Sequence, residues 1–555
     1  MVLRSALFLL VILMTGCGRS GRVDVGTQEF SGDTINLSGT VRPQDNFAHF
    51  VKPIVTGAEP AAQHARRQAR VVISAALDAA RANKALAETT ELHQAARFYG
   101  WMSDSTILQA DRRWMEGQRK AIMGLKNGAE VGKWLFRQAQ AGGNVLVSFS
   151  TTPKQEWYLS PQQEWQAPPG REQWMLSVQQ VLLESKLYEE KEVSQPAARA
   201  VDYCSALLKT FTRQPVRVAV RDLTRTMPGW DWKALTASDS VWMTDVAYFA
   251  QLSRWLTALP VNDWKAILLW SLHQDAITWL PLEPVSPVWR TKRREKAIDL
   301  LALHMPLLAD KLLHSHYSRQ AGDREVEEDV QLALAAQLRY TPSLSDSSKA
   351  KALAALRTLK SAGVVFQPVN TSGLVASRDT SIMTFRNELR RTRVVHPDLH
   401  SISDPLHAVI QYNPGMHTLL HTSALGALPG LAGPIEEQFG VMGSLWANAL
   451  VDVIDASSVE WSAAEKQRWS QRKADRNRIS LLLLTDGWQR YLREHPGSNE
   501  VPRSQRMFIH WATWADRSVS TTINSLCQRN ALFQSVFSVS EKDSLFSGAP
   551  AQELF

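Results

Sequence analysis

The chain has 555 residues, 44% hydrophobic and 21% charged, which excludes a disordered or fibrous polypeptide and exceeds what one hydrophobic core serves. Its 62 basic and 54 acidic residues leave a formal net charge of +8, spread along the chain with only short clusters such as RTKRREK at 290–296. Such clusters read as solvated faces, so no nucleic-acid partner is expected.

The first twenty residues, MVLRSALFLLVILMTGCGRS, join Arg4 to an apolar run from Ala6 to Met14 that breaks at Thr15, Gly16 and Cys17. This is the layout of a secretory signal, and the run is too short to span a bilayer as a stable helix. Small residues just before a cysteine resemble the bacterial lipobox, although Met14 is less usual than Leu three places before it. The resemblance implies removal of residues 1–16, diacylglyceryl transfer to the Cys17 thiol and acylation of the new amino terminus. Several acyl chains, at about 0.8 kcal/mol per buried CH₂, anchor a protein for good. Gly18 does not look like the aspartate that retains lipoproteins in the inner membrane, so the expected location is the periplasmic face of a Gram-negative outer membrane. An ordinary signal peptide with an incidental cysteine is the plainer alternative. Cys204 and Cys527 remain, and the periplasm permits a disulfide between them. The spacing of VDYCSALLKTF (201–211) reads equally well as a buried helix face.

Residues 17–40 are rich in Gly, Ser, Thr and Asp without an apolar period, as suits a tether between lipid and body. From 59 to about 140, Ala, Val, Ile and Leu recur at three and four, which predicts helices. GNVLVSFSTT (143–152) reads as a strand, and helix resumes with WMLSVQQVLLESKLYEEKEV (174–193). Further helix signals fall at 245–280, 292–317 and 324–339. Ser345 or Asp346 can cap the next helix, SSKAKALAALRTLKSAG, which Gly363 would close. VVFQPV (364–369) and HAVIQYN (407–413) read as strands, which sets a boundary near 365 between a helical region, 41–365, and a mixed one, 366–555. Most of the 20 tryptophans stand at apolar helix positions, as in WDWKAL, YFAQLSRWL and DWKAILLW, and read as core.

Several separated stretches, in order, resemble the neprilysin family of zinc metallopeptidases, which includes the endothelin-converting enzymes and bacterial oligoendopeptidases. VRPQDNFAHFV (41–51) is similar to its Pro-x-Asp-Asp-Phe-Tyr opening, and FYGWMSD (98–104) to its Tyr-rich helix end. VAYFAQLSRWLTALPVNDWKAILLWSL (246–272) resembles its paired helices, and LSDSSKAKALAALRTLK (344–360) its Met-Ser-x-x-Thr-Lys helix. QYNP (411–414) and QFGVMG (438–443) resemble the Asn-Ala-Tyr-Tyr-Asn-Pro strand and the Asn-Tyr-Gly-x-Ile-Gly lead into the zinc helix, and RNALFQSVFSV (529–539) its closing phrase. The resemblance implies a mainly α (α+β) two-lobed fold, with a large helical lobe and a smaller, mixed, thermolysin-like lobe.

A peptidase of this type needs His-Glu-x-x-His on one helix: residues four apart aim two imidazoles at one ion, and the Glu acts as base on the bound water. Counting from FGVMG, those places fall on Asn448, Ala449 and Asp452. The family's Glu-x-x-x-Asp, third ligand and imidazole-orienting carboxylate, falls on Arg476 and Ser480 when NRISLLLLTDGWQRYL (477–492) is aligned. An arginine cannot ligate a cation; it would repel one, or fill the site and pair with a carboxylate such as Asp452. The substrate-holding asparagine falls on Val409, and the oxyanion histidine has no counterpart in WADRSVSTTINSLCQRNALFQSVF (514–537).

The expectation is therefore a lipid-anchored pseudopeptidase without zinc that binds a peptide or protein partner without cutting it. Two alternatives stay open. One is an active metallopeptidase or metal-binding protein built on His396, His400, His407, His417 and His421, since HTLLH (417–421) would turn two imidazoles to one ion if it were helical. Thr418 stands where its base should be, and turn-rich sequence flanks it. The other is a structural envelope lipoprotein. NGAEVGKW (127–134) is one residue short of a phosphate loop, and no Gly-x-Ser-x-Gly elbow occurs.

Overall fold

The computed structural model describes residues 27–548 except 31–32, 37–40, 52–60, 84, 87–89, 103–106, 153–155, 163–169, 211–214, 233–238, 278–279, 281–286, 318–320, 367–380, 392–403, 432, 498 and 515–519. Cys17 and the expected signal lie outside the described residues. Packing divides the chain into two compact units. Unit 1 gathers Met1–His64, Arg319–Leu359 and Leu428–Phe555; unit 2 gathers Ala65–Ser318 and Lys360–Ala427. The boundary expected near 365 sits close to one crossing, but a single cut does not separate these units, because helices remote in sequence pack together within unit 1.

Unit 2 is built mainly of helices whose apolar residues fall on one face. In Ala61–Ala82 the buried residues Ala65, Ala69, Ile73, Leu77 and Ala80 follow the period of three and four that predicted the helix. Asn127, which opens the phosphate-loop imitation, is an N-cap: its side chain accepts from Glu130 N–H, and the segment begins the Gly128–Gln140 helix. Gly142, at φ +81°, follows that helix, and a Cβ there would come within 1.8 Å of the Asn387 carbonyl, so no other residue fits. The helix expected to reach Val193 runs only over Arg171–Glu184, and Lys186, in a left-handed conformation at φ 57°, turns the chain away. Val147–Thr151 forms the expected strand and pairs antiparallel with Trp157–Pro161; Ser240–Thr244 and Pro215–Ala219 complete a four-stranded sheet. Trp230, Trp232, Trp255, Trp264 and Trp270 are all buried, so the tryptophan phrases are core. Asp275, buried with Arg386 and Arg390, and Asp111, which pairs with Arg293 and accepts from Ile382 N–H at 2.9 Å, tie the Ile382–Arg391 helix to this core.

Unit 2 also holds a three-stranded sheet in which Lys360–Gly363 pairs parallel with Thr418–His421, and Ile410–Asn413 pairs antiparallel with the same strand. Gly363 therefore does not close the preceding helix; it ends a strand, the described part of VVFQPV (364–366) lies outside that strand, and 367–369 lie outside the described residues. Asp346–Thr358, capped by Ser345 as expected, ends at an extended Leu359, and Lys360 N–H donates to the His417 carbonyl instead of continuing the helical ladder.

In unit 1 the Phe47–Phe50 helix packs against helices near the carboxyl-terminal end of the described chain. Phe47 is fully buried against Phe533 and Phe537, with ring centroids at 4.9 and 5.3 Å, and Ala48 N–H donates to Asn524 Oδ1 at 2.9 Å. Part of the expected tether is ordered as a hairpin, Thr27–Phe30 antiparallel to Asp33–Asn36. Ile435–Glu460 is one helical run, long and apolar enough to cross a membrane, yet mostly buried, so in this fold it is a core helix. Glu465 fastens two helix starts: its carboxylate accepts from Ser345 N–H at 2.7 Å, Ser348 Oγ at 3.0 Å and Ser462 N–H at 3.0 Å. Those hydrogen bonds, the Ser345 backbone bond foremost, hold the Glu465 carboxyl down to about 2.

Candidate functional site

Four of the residues picked from the sequence come together in unit 1, and the helices that carry them explain how. The phrase QFGVMG forms a buried π-helical turn, Phe439–Gly443, that leads straight into the Ser444–Ser457 helix. Its glycines allow close packing: a Cβ on Gly440 would stand 2.6 Å from the Met507 carbonyl, and one on Gly443 would stand 2.5 Å from Leu484 Cδ1. Leu484 belongs to the Arg476–Glu494 helix, so this contact sets that helix beside Asn448 and Asp452.

Arg476 is the first residue of its helix, where the helix dipole disfavours a cation. Asp452 compensates. Arg476 Nη1 donates to Asp452 Oδ1 at 2.7 Å and Nη2 to Asp452 Oδ2 at 2.9 Å, the two-pronged geometry that a guanidinium offers a carboxylate. Arg476 Nη2 also donates to the Asn448 carbonyl at 2.5 Å and Nε to Asn448 Oδ1 at 3.4 Å. Four of the five guanidinium N–H groups are thus engaged by two residues one helical turn apart. Buried Ser480, one turn along from Arg476, donates from Oγ to Asn448 Oδ1 at 2.7 Å. That bond and the one from Nε fix the orientation of the Asn448 amide. Ala449 is buried and offers only a methyl group.

The cluster is reachable from solvent, because the Arg476 and Asp452 side chains are each 38% exposed. It has one anionic and one cationic group, so it presents polar groups without a surplus of either charge. The sequence comparison gave no role to its neighbours one turn on. Asp455 accepts from Trp469 Nε1 at 3.1 Å and from Lys473 Nζ at 2.5 Å. Asp455 follows Asp452 at a helical spacing of three, the signal that could have found it.

The donor set does not fit zinc. The ion takes four nitrogen, sulfur or carboxylate donors in a tetrahedron, and here the one carboxylate is spent on the Arg476 guanidinium, which can ligate no cation. Among the described residues no group of three or more His, Cys, Asp or Glu side chains is arranged to hold a metal.

Val409 and the described histidine candidates belong to unit 2. Val409 precedes the Ile410–Asn413 strand, and its backbone is occupied by Thr422, which takes its N–H on Oγ1 at 3.4 Å and donates N–H to its carbonyl at 3.3 Å. His396 and His400 lie outside the described residues. His407 is exposed. HTLLH is not helical: His417 occupies the hairpin turn at φ 49° with Nδ1 2.7 Å from the Tyr412 hydroxyl, and Thr418–His421 is a strand. Four residues of strand span about 13 Å, so the helical spacing that would bring two imidazoles to one ion does not exist here. Cys204 and Cys527 are free and buried, and burial pushes both thiols well above their ordinary range.

No protein-family model matches the chain, and no curated protein sequence does. Solved structures do. The chain is similar to the Mycobacterium tuberculosis zinc metalloprotease Zmp1 in complex with inhibitor, with a TM-score of 0.72 and 14% identity over 94% of this chain and 98% of that one. It is also similar to PepO from Lactobacillus rhamnosis HN001, with a TM-score of 0.65 and 14% identity over 91% and 98% of the two chains. A Haemonchus galactose containing glycoprotein complex matches with a TM-score of 0.64 and 12% identity over 94% and 97%. At such identities the likeness is one of fold, and the mainly α, two-lobed neprilysin-like fold implied by the sequence phrases is the fold of this chain.

Proposed function

We propose that this chain, which carries the fold of the neprilysin-like zinc metallopeptidases, works as a pseudopeptidase that holds a peptide or protein partner without cleaving it. One observation carries the reading: the Arg476 guanidinium is seated on Asp452 and Asn448, at the places the family comparison assigns to zinc ligands. A zinc peptidase draws its power from an ion that acidifies a water and polarises the scissile carbonyl. The chain's own groups supply neither, and Ala449 has no carboxylate to take a proton from an attacking water. What remains is a solvent-reachable polar cluster on a long, well-packed scaffold.

The anchoring belongs to the same proposal: Cys17 carries lipid, and the body faces the periplasm from the outer membrane, where the partner is met. The motif around Cys17 supports this. To test the function, the soluble form lacking residues 1–17 is incubated with unstructured peptides, with and without chelator, and the peptides are examined by mass spectrometry while retention on the protein is measured. The proposal expects intact peptides, some of them retained. Chelator-sensitive cleavage overturns it, and periplasmic crosslinking that captures no partner favours a structural envelope lipoprotein instead.

A further inference from the structure

Within unit 1 the helices Ala321–Tyr340 and Arg476–Glu494 run in opposite directions along one seam. Gln337 Nε2 donates to Asp486 Oδ2 at 2.5 Å; a Cβ on Gly487 would come within 3.1 Å of Val330 Cα; Arg490 Nε lies 3.1 Å from Asp329 Oδ1; and His495 Nε2 lies 3.4 Å from Glu325 Oε1. The end of the seam beyond Gly487 is unbalanced in charge. The carboxylates Glu325, Asp329 and Glu494 gather around Arg490, which contacts both Asp329 and Glu494, while the exposed Arg493 of the same helix acts on Asp486. His495, stacked on Tyr491 with ring centroids at 4.4 Å, adds charge only when protonated.

Other elements packed on Ala321–Tyr340 bring charges of their own. Glu436 on Ile435–Gln438 is held by Arg503 and Arg506, and Glu437 faces His510 at 3.7 Å. Asp452 and Asp455 on Ser444–Ser457 are held by Arg476 and Lys473. On Asp346–Thr358, Lys351 pairs with Glu460, and Lys349 and Arg357 are half-buried and exposed. On the same helix as Asp329, Arg324 and Glu328 pair with each other.

We propose that this end of the seam is an acid-tightened clasp, in which the crowded carboxylates loosen the carboxyl-terminal half of Arg476–Glu494 at neutral pH and proton uptake by Asp329 draws the two helices together. Burial first, and the Glu494 charge second, push the Asp329 carboxyl from its ordinary 3.8 up to about 6, with Arg490 offsetting only part. The folded state therefore binds this proton more tightly than the unfolded one. The stabilisation grows as pH falls from about 6 toward 3.8 and is lost as pH rises through about 6. Burial raises the Asp486 carboxyl of the same seam too, and His510, which burial lowers from 6.5 to about 4, works in the opposite sense, so whole-molecule unfolding mixes several groups.

The test is hydrogen exchange on the full chain, read by mass spectrometry for peptides covering 485–494, at about pH 7.5 and about pH 5 with intrinsic rates corrected; one proton linked in this way makes opening about tenfold rarer at the lower pH. Asp329→Asn removes the carboxyl pushed up to about 6 and is expected to remove most of the difference, while Asp486, which burial also raises, stays in the variant. Glu494→Gln, at an exposed position, removes a repelling charge and is expected to shrink it severalfold, which keeps the test decisive should the first variant not fold. Equal protection of the wild-type segment at both pH values overturns the proposal, as does either variant that keeps the full effect.

Discussion

Replacing Arg476 by Glu turns the central ion pair into two facing carboxylates and asks directly what that residue contributes. Arg476→Met is the control, because it deletes the pair without adding repulsion. Both partners are 38% exposed, so the pair itself is worth about 1 kcal/mol despite its two-pronged geometry. Two unit charges at roughly 4 Å repel by about 1 kcal/mol in bulk water and about 4 kcal/mol at the effective dielectric near a protein surface. The Glu variant therefore loses about 2–5 kcal/mol and the Met variant about 1 kcal/mol, and each kcal/mol moves Tm by about 2–4 °C in a unit of this size. Thermal unfolding is measured with added zinc and with chelator. The wild type and the Met variant are expected to ignore both. In the Glu variant, the introduced carboxylate and Asp452 form a pair that a divalent cation bridges, and free zinc at about a hundred times its dissociation constant returns about 2.7 kcal/mol. A Glu variant no less stable than the Met variant, or a wild type whose Tm moves with zinc or chelator, refutes the reasoning.

Three further outcomes follow from named contacts. Ser480→Ala removes the donor on Asn448 Oδ1 and is expected to cost about 1 kcal/mol in denaturant unfolding; an unchanged midpoint would contradict that role. Glu465→Gln weakens the fastening of two helix starts; since Glu465 sits at about 2 when folded against an ordinary 4.5, its stabilisation is present above 4.5 and lost as pH falls through about 2. Acid titration of the variant should show a flatter fall in stability over that window, and an unchanged slope would contradict the assignment. Cys204→Ser with Cys527→Ser should leave the protein's response to reductant unchanged, because both thiols are free; a reductant-dependent Tm in the wild type that the double variant lacks would reveal a disulfide.

Much of the fold was legible because it rests on local patterns. The repeat of small and apolar residues from Ala65 to Ala80 dictates a helix face, Ser345 announces a helix start, and the tryptophan phrases stand where a core must be. The misreadings arose where distant partners decide. Nothing near Gly363 reveals that Lys360 will pair with His417, and helical spacing in HTLLH carries no weight once Tyr412 and Asn413 offer a strand to pair with. The run beyond Glu184 keeps helix-forming residues, yet Lys186 adopts a left-handed turn that propensity does not foretell. At the site, the spacing from FGVMG picked Asn448 and Asp452, and the structure brings them to Arg476 and Ser480. Asp455 was marked only by its spacing from Asp452 and Glu465 only by the local Ser462-x-x-Glu465 capping box; their ties to Trp469, Lys473 and Ser345 stayed hidden because those contacts arise only through packing.

On the proposed reading the Arg476 guanidinium, and no metal ion, fills the space beside Asn448 and Asp452. Elemental analysis of the purified soluble chain, dialysed first against zinc and then against metal-free buffer, tests it most directly. No zinc above the buffer is expected. Stoichiometric zinc retained by the wild type and lost in a variant with Asn448 and Asp452 both replaced by Ala would contradict it.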